Sequence, residues 1–190
     1  MPITFAPASQ HRAELLTQIK AKAVVHGKVT LSSGQEADFY IDLRRITLDG
    51  SAAPLVGRVM LDLVRDLEFD AVGGLTLGAD PVAAAMLHAA AAQPELVGGR
   101  KLDAFVVRKA EKAHGMQRRI EGPDIAGRRV LIVEDTSTTG NSPLTAVEAA
   151  RSAGAEVVAI AVIVERGAQP TIDKAELPYY AAFSLADLGL

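Results

Sequence analysis

The 190-residue chain contains no cysteine. That excludes a disulfide framework, a thiolate nucleophile and a zinc–thiolate site. It has little charge of either sign in excess: 20 Lys and Arg against 23 Asp and Glu, a net charge of −3. A general nucleic-acid binder needs a basic face to release counterions, so this balance predicts no nucleic-acid partner. Long apolar runs are missing too. The alanine-rich stretch from Val82 to Ala92 is about half a membrane span and contains His88, so it reads as a small-residue helix packed on a sheet, with no membrane partner. The N-terminal MPITFAPASQ has no basic segment followed by an apolar one, which predicts no signal peptide. No repeat, low-complexity tract or linker divides the chain. With 49% hydrophobic residues, the expectation is one soluble, cytoplasmic, enzyme-sized domain with a sizeable core.

What the chain does contain is periodic. Leu15, Leu16, Ile19, Ala23 and Val24 fall at helical spacing, predicting a helix over Ser9 to His26 with Ser9 as N-cap and Gly27 as its end. Val29 and Leu31, then Phe39, Ile41 and Leu43, alternate with polar residues around Ser32-Ser33-Gly34, a hairpin-like pair of strands. Asp49-Gly50-Ser51 opens a helix with the stripe Leu55, Val56, Val59, Met60, Leu63, Val64 and Leu67. A strand over Ala71–Leu77 precedes a helix from about Pro81 to Ala92, and Ala104–Val107 is the next strand. Val130–Val133, a helix over Pro143–Ala153 and the β-branched run Glu156–Val164 complete the alternation, with Tyr179–Leu185 as an edge strand. Strands alternating with helices predict an α/β fold, a doubly wound parallel sheet flanked by helices, with ligands at the carboxyl ends of its strands.

Three strand ends carry the chemistry. The first is Thr76 to Asp80. The second is a long polar segment with Arg108, Lys109, Lys112 and His114, which reads either as a solvated charged loop or as a cationic lid for a polyanionic substrate. The third is RVLIVEDTSTTGNS, Arg129 to Ser142: a buried strand, two acids (Glu134, Asp135), then Thr136, Ser137, Thr138, Thr139, Gly140, Asn141 and Ser142 before a helix. Hydroxyls and backbone N–H groups at a helix N-terminus suit a phosphate, and the acids suit sugar hydroxyls or a magnesium ion carried by the ligand. The alternative for the acids is a helix-capping pair. Arg166, one strand further on, reads in isolation as a salt-bridged strand end. The stretch is neither a Walker A loop nor a dinucleotide fingerprint, since Gly140 stands alone and no Gly-Lys-Ser/Thr follows.

VLIVEDTSTTGNS closely resembles the phosphoribosyl-pyrophosphate (PRPP) motif of the type I phosphoribosyltransferases. TLSSGQEADFYIDLRR, RKAEKAHG and VER at Arg166 resemble the members of that family that use orotate, and the likeness runs from about Leu15 to the C-terminal LADLGL. The resemblance implies the type I fold over residues 1–190. It also implies a small hood from about 27–48, with the C-terminal 177–190 as a second candidate contributor, and a flexible lid loop. It implies transfer of the phosphoribosyl group from PRPP to orotate, giving orotidine 5′-monophosphate and pyrophosphate in pyrimidine biosynthesis. A magnesium ion rides on the pyrophosphate, with no direct protein ligand and a water bridge to Asp135, and the protein works as a homodimer whose lid acts in trans. On that pattern Arg108, Lys109, Lys112 and His114 grip the pyrophosphate, and Glu134 and Asp135 hold the ribose. Thr138 to Ser142 wrap the 5′-phosphate, with Thr138 also near orotate, and Thr136 and Ser137 are further PRPP contacts. Tyr40 lies against the pyrimidine and Arg166 pairs with its carboxylate. The catalytic candidates are Lys109, Lys112, His114 and Asp135, and the choice between Lys112 and His114 as acid stays open. The chain has Ser32 and Leu77 where many relatives have lysines, so Arg44 or Lys28 is expected to compensate. The rival readings are a purine-type phosphoribosyltransferase and a PRPP-sensing, nucleic-acid-binding regulator of the same fold.

Overall fold

The structure is a computed structural model that describes residues 2–30, 36–109 and 119–190. Its first half runs β1 (Thr4–Phe5), α1 (Gln10–Lys22), β2 (Val24–Thr30), β3 (Glu36–Ile41), α2 (Arg44–Thr47), α3 (Ala53–Leu63), β4 (Ala71–Leu75) and α4 (Ala79–Ala92). It continues with β5 (Asp103–Val107), β6 (Ile120–Glu121), β7 (Arg129–Ser137), α5 (Asn141–Ser152), β8 (Glu156–Glu165), α6 (Gln169–Ile172), β9 (Tyr179–Ser184) and α7 (Leu185–Leu188). Seven strands form one sheet in the order β1-β9-β8-β7-β4-β5-β6, while β2 and β3 form a separate antiparallel pair. Every pairing in the large sheet is parallel except that of β5 with β6.

The sheet is doubly wound because its central strands are apolar on both faces. Along β7, Leu131 and Val133 join the core built with Val59 and Met60 of α3 and Val82 and Met86 of α4. The alternate residues Val130 and Ile132 pack with Ala146, Val147 and Ala150 of α5 on the other side. Period-two alternation therefore feeds two cores from one strand. At the amino edge β7 is tied down by polar contacts. The Arg128 guanidinium donates to Asp103 and to the Asp70 carbonyl, both at 2.8 Å, and Arg129 N–H donates to the Asp70 carboxylate at 3.0 Å. The carboxyl edge of the sheet is left to the site.

Several boundaries differ from the sequence-based expectation, each for a tertiary reason. Helix α1 is capped by Ser9, whose hydroxyl accepts from Arg12 N–H at 3.1 Å, as expected. It ends at Lys22, however, because Val24 and Val25 pair with Ile41 and Tyr40 in the hairpin; β-branched residues at a helix end are easily recruited to a strand. Strand β7 continues four residues past Val133, since Glu134, Thr136 and Ser137 pair with Val162, Val164 and Glu165 of β8. The two acids therefore stand within the strand and not after it. Strand β9 is not the edge: β1 covers it. Of the C-terminal stretch, β9 belongs to the main sheet. Helix α1 touches both parts of that stretch: Arg12 bonds the Ala182 carbonyl of β9 at 3.1 Å and Asp187 of α7 at 3.2 Å. Strands β1 and β6 and helix α2 were too short to show a period. The hairpin turn with Ser32, and the lid residues Lys112 and His114, lie outside the described residues.

Candidate active site

At the carboxyl edge of the sheet a cavity of about 330 Å³ opens between the β2–β3 hairpin and the ends of β4, β7 and β8. Tyr40, Asp42 and Arg44 line it from the hairpin side, Thr76, Leu77 and Gly78 from the loop after β4, and Glu134, Asp135 and Thr136 from β7. Ser142, Arg166 and Lys109 complete the wall. A larger cavity of about 610 Å³ lies between the segment 119–126 and the outer face of α5, but neither the acid pair nor Arg166 lines it. Chemistry, not volume, marks the functional site.

The acid pair is the electrostatic centre. Glu134 is buried, with 5% of its surface exposed, and its Oε1 accepts from Asp135 N–H at 3.2 Å. Asp135 Oδ1 accepts from Thr136 N–H at 2.6 Å. Gly78 stands directly over both, since a Cβ there would lie 2.3 Å from Glu134 Oε1 and 2.8 Å from Asp135 Oδ1. Only glycine permits the loop after β4, which includes a cis Thr76–Leu77 peptide, to approach the carboxylates so closely. Asp80 adds a further carboxylate: its Oδ2 accepts from the Thr76 hydroxyl at 2.7 Å, while its Oδ1 is buried without a partner among the described residues.

Burial pushes the Glu134 carboxyl up to about 8, with the Asp135 charge beside it acting in the same direction, and burial raises Asp135 as well. The folded chain thus favours protonated Glu134. Its stabilising share is complete below the ordinary carboxyl value of 4.5 and is lost as pH rises through about 8. Glu134→Gln should therefore raise the melting temperature of the ligand-free protein at pH 8 by roughly 3–6 °C, with a much smaller gain at pH 5. A scanning-fluorimetry series across pH reads this directly; equal shifts at both pH values would contradict it.

On the hairpin side, Arg44 Nε donates to Asp42 Oδ1 at 2.8 Å and its terminal nitrogen reaches the Tyr40 hydroxyl at 3.4 Å. The hydrogen bond to Asp42, and more weakly the field of Asp135, hold its guanidinium even more firmly protonated than usual. Arg166 is different. Its Nε is buried and has no partner among the described residues, and its guanidinium lies 6.0 Å from the centre of the Phe39 ring. After Thr136 the chain passes through exposed Thr138 and Thr139 to Gly140 at the start of α5, whose first turn carries no acid and no side-chain cap. Asn141 N–H donates to the Thr139 hydroxyl at 3.4 Å, and the N-terminus of the helix suits an anion.

The structure therefore gathers Tyr40, Lys109, Glu134, Asp135, Thr136, Ser142 and Arg166 around one cavity. Thr138, Thr139, Gly140 and Asn141 lie in chain between two of its lining residues. Two expected PRPP contacts are placed elsewhere. Ser137 is buried at 3% exposure and lies off the cavity wall. Arg108 lies off the wall as well, because its guanidinium pairs with Glu121 at 3.3 Å and its carbonyl accepts from Arg119. These contacts tie the end of β5 to β6 and the residue before it. Arg44 lines the cavity, as one of the two expected compensating cations. Phe39 and Gly78 have no individual ligand role legible in the sequence, and both need the assembled fold to show their part.

Fold and site together define a class, and comparison with known proteins agrees: the chain belongs to the phosphoribosyltransferase family, whose domain model matches residues 52–178. Within that family its relatives are orotate phosphoribosyltransferases. It is 72% identical over 182 residues to that enzyme from Streptomyces coelicolor, covering 94% of this chain and 97% of the relative. The crystal structure of the Mycobacterium tuberculosis orotate phosphoribosyltransferase in complex with Fe(III) dicitrate superposes with a TM-score of 0.83 at 55% identity, covering 95% of this chain and 99% of that one. The same enzyme in complex with PRPP gives a TM-score of 0.80 at 49% identity, covering 95% and 99%. The fold is thus the expected type I fold, and the orotate branch is favoured over the purine-type and regulatory readings. No helix among the described residues is long and apolar enough to cross a membrane.

Proposed function

We propose that the chain transfers the 5-phosphoribosyl group of PRPP to orotate, releasing pyrophosphate and forming orotidine 5′-monophosphate for pyrimidine synthesis in the cytoplasm. The observation that carries this is the pairing, across one cavity, of the acids Glu134, which is buried, and Asp135 with an arginine whose buried Nε has no partner among the described residues. Acids at the end of β7 suit ribose hydroxyls, and the uncapped start of α5 with Thr138, Thr139 and Ser142 suits the 5′-phosphate. A guanidinium with a free face suits the orotate carboxylate, and the Tyr40 ring in the hairpin, which serves as the hood, suits the pyrimidine. Mixing the protein with PRPP, magnesium and orotate should consume orotate absorbance, whereas hypoxanthine and uracil should not replace it. Absence of orotate turnover would remove the proposal.

In the reaction, an orotate ring nitrogen forms a bond to ribose C1 as the bond from C1 to the pyrophosphate oxygen breaks; that electron pair leaves with pyrophosphate, which also takes up the proton lost from the ring N–H. Positive charge grows on the sugar, where the Glu134–Asp135 pair stabilises it. The hard oxygen donors here fit a magnesium ion, which when bound supplies positive charge to the departing oxygens. We assign that ion to the pyrophosphate of PRPP. Lys109, with Lys112 and His114 beyond it, supplies further cations.

Two predictions follow from residues at the edges of this site. Arg44 should share the cationic role left open by Leu77, so Arg44→Ala should raise KM for orotate by about two- to fivefold, a modest effect because the side chain is half exposed. An unchanged KM would remove the role. The proposal also includes a homodimer whose lid serves the neighbouring site. Co-refolding inactive Lys112→Ala and Asp135→Asn subunits should then restore about a quarter of wild-type sites. Lys109 lines the cavity of its own chain, so failure of rescue would assign the whole lid to its own site.

A further inference from the structure

Arg166 has an acidic neighbour in sequence, Glu165, that could neutralise it, yet the two form no ion pair among the described residues. The reason is visible at the Glu165 carboxylate. Its Oε1 accepts from Gly167 N–H at 2.6 Å and from Gln169 N–H at 3.3 Å, and its Oε2 accepts the hydroxyl of Tyr179. Tyr179 is buried, with 1% exposed, in the core on the α5 side of the sheet. The chain reverses at Gly167, whose φ of +107° lies where side-chain-bearing residues rarely go, and the N–H of Arg166 itself donates to the Ser137 carbonyl at 2.9 Å. Glu165 is thus turned into the fold and held by three donors, while Arg166 points the other way into the cavity. Resting on the reading that Arg166 takes the substrate carboxylate, we infer that Tyr179 and Glu165 are positioning residues: the tyrosine hydroxyl occupies Glu165 and so keeps Arg166 unpaired for that carboxylate.

The physical logic is competition. A guanidinium beside a free carboxylate forms a charge-assisted pair and is no longer available to a ligand. Hydrogen bonds to the carboxylate lower its appetite for that pair, and loss of the buried phenol donor returns one oxygen to it. The consequence falls only on ligands with a carboxylate, which separates positioning from general damage to the site.

Orotidine 5′-monophosphate and uridine 5′-monophosphate differ by that one carboxylate, so their dissociation constants, measured by calorimetry on the full chain, form the test. Tyr179→Phe should weaken the orotidine nucleotide about tenfold and leave the uridine nucleotide within about twofold. Glu165→Asp, which withdraws the carboxylate from the phenol, should do the same and covers the case where the first variant folds poorly. The decisive variant combines Tyr179→Phe with Glu165→Gln. A neutral amide cannot pair with Arg166, so the double variant should bind the orotidine nucleotide within about threefold of Glu165→Gln alone. Equal loss for both nucleotides, no loss for either, or a loss that persists in the glutamine background would each overturn the inference. If Arg166→Ala leaves the preference for the orotidine nucleotide intact, the underlying carboxylate assignment falls, and the inference with it.

Discussion

Asp135→Asn should lower kcat/KM for PRPP by about two to three orders of magnitude while leaving the protein folded, because it removes a negative charge aimed at the sugar when positive charge develops there. In the ground state the carboxylate would accept ribose hydroxyls, which asparagine can still do in part, so the loss should fall mainly on kcat. Thr136 N–H bonds one carboxylate oxygen at 2.6 Å, leaving the other for the ligand. An amide oxygen can keep that backbone bond, and the variant also relieves the repulsion that raises the neighbouring Glu134 carboxyl. A melting temperature at or above wild type together with a 10²-fold or larger fall in kcat is the expected pair of results. A loss confined to KM would mean that Asp135 only binds the sugar.

The same residues show how far the sequence could be read. Val130 to Val133 followed by two acids and a run of hydroxyls was legible because a strand buried on both faces cannot continue into such residues without a purpose for them. That the strand ends share one edge of the sheet followed from β/α alternation, while their order along it, β8-β7-β4-β5, did not. What was not legible depends on neighbours distant in sequence. Whether a hydroxyl in TSTTGNS faces the ligand or the core is set by the pairing of β7 with β8, which carries the strand to Ser137 and buries that side chain. Arg108 looked like a ligand cation because Glu121, its partner, lies thirteen residues away across β5 and β6. Gly78 reads as an ordinary loop glycine until Glu134 and Asp135 are seen beneath it. The end of α1 is hidden for a related reason: Val24 satisfies the helical period, and only the pairing of Val24 and Val25 with Ile41 and Tyr40 shows them to be a strand.

Arg166→Ala should reduce kcat/KM for orotate by about 10²- to 10³-fold and leave the affinity for PRPP within about threefold, the cost expected for removing one partner of a desolvated charge pair. The size follows from the unusual state of the side chain. A buried guanidinium nitrogen without an acceptor is costly in the free protein, and the Phe39 ring offers only a weak compensating contact at 6.0 Å. A ligand carboxylate therefore relieves a cost already present as well as adding an attraction. Arg166→Lys should recover little, since a point charge cannot reproduce a planar, two-point grip, and its shorter donor reach leaves one carboxylate oxygen unpaired. Steady-state kinetics with each substrate varied in turn separates the two affinities. If the arginine served the pyrophosphate end instead, PRPP affinity would fall with orotate unchanged, and the acid pair and the arginine would have to exchange substrates in any account of the site.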